Sequence, residues 1–137
     1  VEASGIALAL AAAHFLDDIP VVFAKKSPAA NQSADMLTAV AHSFTHGNDN
    51  ALRVDRRYLP AGSRVLVVDD FLADGEASRA LISIVEQADC TLVGVGIAVE
   101  KGFQPGGRKL REAGVNLKSL AIVTSIQDGR IQLADDD

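Results

Sequence analysis

The chain has 137 residues, 48% hydrophobic and 23% charged, which suits one domain with a buried core and excludes a disordered chain. Thirteen basic against eighteen acidic residues give a net charge of −5, which argues against non-specific nucleic-acid binding. The single cysteine, Cys90, excludes an intrachain disulfide and fits a reducing cytoplasm, and no apolar run approaches the roughly 20 residues that span a membrane.

The opening "VEASGIALALAAAHFL" reads as the end of a strand running into a helix, so the chain is expected to be N-terminally truncated. Its apolar core resembles a signal peptide's, but no basic segment precedes it. Ser4 is a candidate N-cap for an alanine-rich helix reaching His14. "IPVVFAKK" reads as a buried strand ending in Lys25 and Lys26. Small polar residues from Ser27 to Met36 predict a mobile loop. "LTAVAHSF", the turn "HGNDN" and "ALRVDRRYL" predict a hairpin.

The run "RVLVVDD" predicts a central parallel strand buried on both faces, followed by a helix from about Gly75 to Gln87. "TLVGVGIAVE" is a further strand, "GGRKLREAG" a short helix closed by Gly114, and "LKSLAIVTSI" another strand. "QDGRIQLADDD" supplies a turn, a short terminal strand and an acidic end. Alternating strands and helices predict one α/β domain over residues 1–137, with a mainly parallel sheet flanked by helices and a flexible loop and hairpin flap. Ligands of such sheets bind beyond the carboxyl ends of the strands. The predicted strands place Lys25 and Lys26, Asp69 and Asp70, and Glu100 and Lys101 at those ends. His14, His42 and His46 lack metal-ligand spacing, and neither they nor Cys90 are given a role.

"VLVVDDFLADGEA" resembles the phosphoribosyl-pyrophosphate (PRPP) signature of the type I phosphoribosyltransferases. "EASGIA", "PVVFAKK", "GVGIAVEKGFQ" and the late "DGRI" turn extend the resemblance along nearly the whole chain. It implies transfer of a 5-phosphoribosyl group from PRPP, with Mg²⁺ carried mainly on PRPP, to xanthine or a related 6-oxopurine. The products would be the nucleotide (XMP for xanthine) and pyrophosphate. No covalent nucleophile is implied, and the protein's part is positioning and electrostatics around an oxocarbenium-like transition state. A cytoplasmic homodimer is implied too, binding PRPP and a purine but neither nucleic acid nor membrane. The family's base-covering hood comes from sequence before the main sheet and is expected to be missing from this chain.

By the same resemblance Asp69 and Asp70 are the catalytic acids that accept from the ribose hydroxyls. Ala73, Asp74, Gly75, Glu76 and Ala77 match the 5′-phosphate turn, in which backbone amides at a helix start hold the anion. The carboxylates of Asp74 and Glu76 are expected to face solvent there. Ala3, Ser4 and Gly5 match the pyrophosphate loop, with Lys25 and Lys26 neutralising that group. The Ser27–Met36 loop matches the family's lid. Lys101 matches the donor to the purine O6, and Phe103 is placed against the base. Some relatives carry an aspartate at the position of Ala73; this chain does not, and no general base is assigned. Three rival readings are a PRPP-sensing regulator domain of the purine-operon repressor type, an adenine or broad-purine phosphoribosyltransferase, and an inactive fragment.

Overall fold

A computed structural model describes residues 1–27, 35–42 and 49–134. Helix α1 (Ser4–His14) comes first, and strands β1 (Met36–His42) and β2 (Asp49–Asp55) pair as an antiparallel hairpin. A 3₁₀ turn over Arg56–Tyr58 follows, then β3 (Arg64–Leu72), α2 (Glu76–Gln87), β4 (Thr91–Lys101), α3 (Gly106–Glu112), β5 (Leu117–Gln127) and β6 (Arg130–Leu133). β3, β4 and β5 run parallel in that order, and β6 closes the far side antiparallel to β5. This is the mainly parallel α/β sheet that the alternation of elements predicts.

Two apolar clusters flank α2, whose inward positions recur at helical spacing. On one side Ala80, Ile84 and Ala88 pack with Leu37, Ala41, Leu52 and Val54 of the hairpin. On the other, Val85 joins Val67, Leu72, Val95 and Ile97 of the sheet, with Leu110 of α3. The hairpin is also pinned to the end of α2 by polar contacts. The Gln87 side-chain amide donates to the Thr38 carbonyl at 3.1 Å, and the Arg56 guanidinium donates to the Gln87 carbonyl at 2.8 Å.

Three expectations change. "IPVVFAKK" forms no strand; Ile19, Val22 and Phe23 are exposed, and only Lys25 makes a ladder contact, an isolated bridge to Arg53. β3 is not buried on both faces: Leu66 and Phe71, which project from opposite faces, are exposed, and among the described residues it pairs along one edge only, with β4. An apolar cavity of about 470 Å³ lies beside both segments, lined by α1, residues 19–24, the 58–60 turn, β3 and α2. Third, the second strand of the hairpin stops at Asp55, whose carboxylate accepts from the Arg57 amide at 3.0 Å and turns the chain into the 3₁₀ segment. Of the predicted lid, residues 28–34 lie outside the described residues, as does the hairpin tip at 43–48 with His46.

Candidate active site

The site is built at the carboxyl end of β3. Gly5 is packed so closely there that a Cβ on it would lie 2.7 Å from Asp69 Oδ1, so a side chain at this position would have to displace that carboxylate. The predicted N-cap is displaced by one residue: Ala3 holds that position without a side-chain cap, and Ser4 is the first helical residue. The Ser4 hydroxyl is instead spent on the Asp70 carboxylate. The Glu2–Ala3 peptide is cis. Glu2 ties the loop to the segment behind it, its amide donating to the Ala24 carbonyl at 3.1 Å and its carboxylate accepting from the Lys26 amide at 2.6 Å. Arg53 holds the same segment from the other side, donating to the Lys26 carbonyl at 3.0 Å.

The paired aspartates differ in state. Asp69 is 6% exposed, and burial pushes its carboxyl above the ordinary value. Burial pushes Asp70 the same way, but hydrogen bonds from the Ser4 hydroxyl and from its own and the Phe71 amides outweigh it, so it lies below the ordinary value. The Asp70 amide also donates to Asp69 Oδ1 at 3.1 Å, fixing one carboxylate against the other's backbone.

After β3 the chain turns through Ala73–Gly75 into α2. Gly75 has φ +88°, a left-handed conformation that favours glycine. Of the acids of this turn, Glu76 does not face solvent as expected, and Asp74 is half-buried at the cleft. Glu76 is buried and paired with Arg79 one turn along α2, while the Asp74 carboxylate accepts from the Glu76 amide at 3.1 Å. An anion entering the turn therefore meets an amide already occupied by the chain's own carboxylate. Replacing Asp74 by Ala removes that competitor and a like charge. Ribose 5-phosphate is expected to bind about fivefold more tightly, since unit charges about 4 Å apart in water repel by about 1 kcal/mol. Calorimetric titration of both proteins checks it.

A polar cleft of about 210 Å³ opens over these residues, lined among others by Glu2, Ser4, Lys26, Asp69, Asp70 and Asp74. Glu76 and Ala77 complete the turn's side of it, and the hairpin contributes His42 and Asn50. Most sequence-predicted residues for PRPP thus meet in one place. Ala3 stands at the α1 cap, and Ala73 and Gly75 form the turn's backbone. Lys25 is directed elsewhere, its ammonium 6.0 Å from the Phe23 ring centroid.

Lys101 ends β4, one position beyond the Leu72–Glu100 pair of the β3–β4 register, so it flanks the start of the turn. Its ammonium stands 5.8 Å from the centroid of Phe71, a ring that is 54% exposed. Phe103 is exposed as well. Sequence reasoning missed Phe71, although its place directly after the aspartate pair on an alternating strand was a usable signal. It also missed Glu2, His42 and Asn50. Glu2 lies within the quoted "EASGIA", but nothing local tells that its carboxylate reaches residue 26; the hairpin residues arrive through long-range pairing.

No group of three or more His, Cys, Asp or Glu side chains that could hold a metal occurs among the described residues. The carboxylates at the cleft still fit Mg²⁺, which keeps several waters and binds through one or two protein carboxylates plus substrate phosphates. None of the described helices is long and apolar enough to cross a membrane.

No family model matches the chain. Curated relatives do. The chain is 47% identical over 131 residues to xanthine phosphoribosyltransferase 1 of Clostridium perfringens, covering 96% of this chain and 69% of that protein. It is 50% identical over 126 residues to xanthine phosphoribosyltransferase of Bifidobacterium animalis subsp. lactis, covering 92% and 65%. Among solved structures, adenine phosphoribosyltransferase from Thermoanaerobacter pseudethanolicus superposes with a TM-score of 0.75 at 26% identity, covering 88% of this chain and 66% of that one.

Proposed function

Because the chain belongs to the xanthine phosphoribosyltransferases, we propose that its cleft binds Mg²⁺–PRPP and directs phosphoribosyl transfer to xanthine. The observation that carries the reading is the meeting of Ser4, Lys26, the aspartate pair and the 74–77 segment in one cleft.

Asp70, ionised and half-buried, accepts from the ribose hydroxyls; Asp69, behind it, adds negative charge below the carbon where cationic character develops. The amides of residues 73–77, at the start of α2, take the 5′-phosphate, helped by the partial positive charge of the helix end. Ala3, Ser4 and Gly5 take the pyrophosphate, with Lys26 as the cation at the cleft and Lys25 close in sequence. When bound, Mg²⁺ supplies charge neutralisation on the pyrophosphate leaving group. Lys101 donates to the purine O6, and Phe71 and Phe103 offer apolar faces to the ring. Cytoplasmic residence and a homodimer belong to the same reading.

The test is turnover with Mg²⁺–PRPP and each of xanthine, guanine, hypoxanthine and adenine. Xanthine is expected to react fastest; adenine fastest, or no PRPP binding by the folded protein, defeats the proposal. Lys101→Met keeps the stem and removes the donor. It is expected to raise KM for xanthine about tenfold, as loss of a charged hydrogen bond implies, with little change in PRPP affinity. Steady-state kinetics with each substrate varied in turn separates the two effects.

A further inference from the structure

The turn at 73–77 rests on the start of α3. The Gly106 amide donates to the Ala73 carbonyl at 3.0 Å. A Cβ on Gly106 would lie 2.5 Å from that oxygen, 2.6 Å from the Gly75 nitrogen and 2.8 Å from the Asp74 carbonyl carbon. The packing is reciprocal, since a Cβ on Gly75 would lie 3.1 Å from Gly106 Cα. Backbone thus lies directly on backbone, and a side chain at position 106 would push the turn away from α3.

Besides the core packing of Leu110, a polar tie holds α3: Glu100. This carboxylate is 3% exposed, and it is gripped from both sides. Arg111, near the end of α3, donates to its two oxygens at 2.7 Å each, and the Ser119 hydroxyl of β5 donates at 2.5 Å. Gly107 completes the fit, because a Cβ there would run into the Glu100 carboxylate. None of Glu100, Gly106, Gly107 or Arg111 lines the cleft. A buried, charged, fully engaged side chain therefore ties three elements together directly beside Lys101 and beneath the turn.

We propose that Gly106 is a positioning residue for the 5′-phosphate turn, with Glu100 as the clamp that holds it there through α3. The proposal rests on the phosphate reading of residues 73–77. Its physical content is preorganisation: anion binding by backbone amides needs them fixed before the ligand arrives, and displacements of about 1 Å are enough to lose much of the affinity. The Ala3–Gly5 loop is carried by α1, and the close contacts of Gly106, Gly107 and Glu100 run to the 73–75 turn, α3 and β5 instead, so the two anion sites should respond differently.

The experiment titrates ribose 5-phosphate and, separately, pyrophosphate into wild type, Gly106→Ala and Glu100→Gln by calorimetry, with circular dichroism to establish folding. Gly106→Ala is expected to weaken ribose 5-phosphate about tenfold or more and leave pyrophosphate within about twofold. Glu100→Gln, which keeps the shape and loses the charge, is expected to show the same selectivity at about threefold. A merely structural role would weaken both ligands together. Unchanged ribose 5-phosphate binding in folded Gly106→Ala, or equal loss of both ligands, overturns the proposal while the site reading stands. Should Gly106→Ala fail to fold, Glu100→Gln decides by the same comparison. A folded wild type that takes neither ligand removes the site reading, and the proposal with it.

Discussion

Changing Asp69 and Asp70 together to Asn is expected to raise the dissociation constant of Mg²⁺–PRPP on the order of 10²-fold. Each ribose hydroxyl then keeps only a neutral acceptor and forfeits about 1–1.5 kcal/mol, and two such losses give roughly that factor. Asparagine matches aspartate in shape, so Gly5 can still pack against position 69 and Ser4 can still reach position 70. Folding is expected to survive. Asp69 is raised above its ordinary value by burial, so its ionised form opposes folding: any stability it gives is full below its unfolded pKa and lost as pH rises through the folded one. Asn at 69 is therefore expected to be no less stable than Asp at neutral pH. PRPP affinity of the wild type should also begin to fall, on acidification, at a higher pH than an ordinary aspartate would dictate. Calorimetry across pH, with thermal melts in parallel, checks both; binding by the double variant at wild-type affinity would remove the aspartates from the site.

Removing Arg111 should cost far more stability than an ordinary surface truncation. Glu100 has 4% of its side chain exposed, whereas Arg111 has 43%, so Arg111→Ala strands a buried charge rather than a solvated one. Stranding one member of a buried pair costs about 3–5 kcal/mol. Water reaching the exposed side of this pair lowers that to about 2–3 kcal/mol. For a domain of this size urea slopes of about 1–3 kcal/mol/M translate it into a midpoint lower by about 1–2 M. Arg111→Met combined with Glu100→Gln should recover much of the loss, because no ionised group is then left buried. The pH sign follows from Glu100, which the Arg111 guanidinium holds below the usual carboxylate range against the opposing effect of burial. Its contribution is full above the unfolded value, 4.5, and disappears as pH falls through the lower folded value. Urea melts of Glu100→Gln should show that component of acid sensitivity gone.

Much of the sheet was legible in the sequence because its strands are long, β-branched and separated by turn residues that leave little choice. β4, β5 and α2 fall close to where periodicity and Gly114 put them. The segment around Val22 was misread for an understandable reason: an apolar run reports a demand for burial, and a strand forms only where a neighbour's edge meets that demand. The site divides in the same way. The strand-end acids and the glycine-bearing turn announce themselves locally. The inward orientation of Asp74, the capture of Ser4 by Asp70, and the reach of Glu2 to Lys26 are tertiary events between segments that no local pattern connects. The resemblance to phosphoribosyltransferases supplied the grouping, and geometry supplied the partners.

The edge of β3 left unpaired among the described residues, beside its apolar cavity, bears on how this chain behaves in a tube. An unpaired strand edge offers ladder hydrogen bonds to any extended chain, and apolar walls reward whatever covers them. Against that stands a net charge of −5, whose repulsion is screened beyond about 8 Å at physiological ionic strength. Colloidal stability is thus a contest that salt tilts toward association. Dilute, low-salt buffers slightly above neutrality favour clear solutions, while concentrating the protein in high salt invites precipitation without any loss of fold.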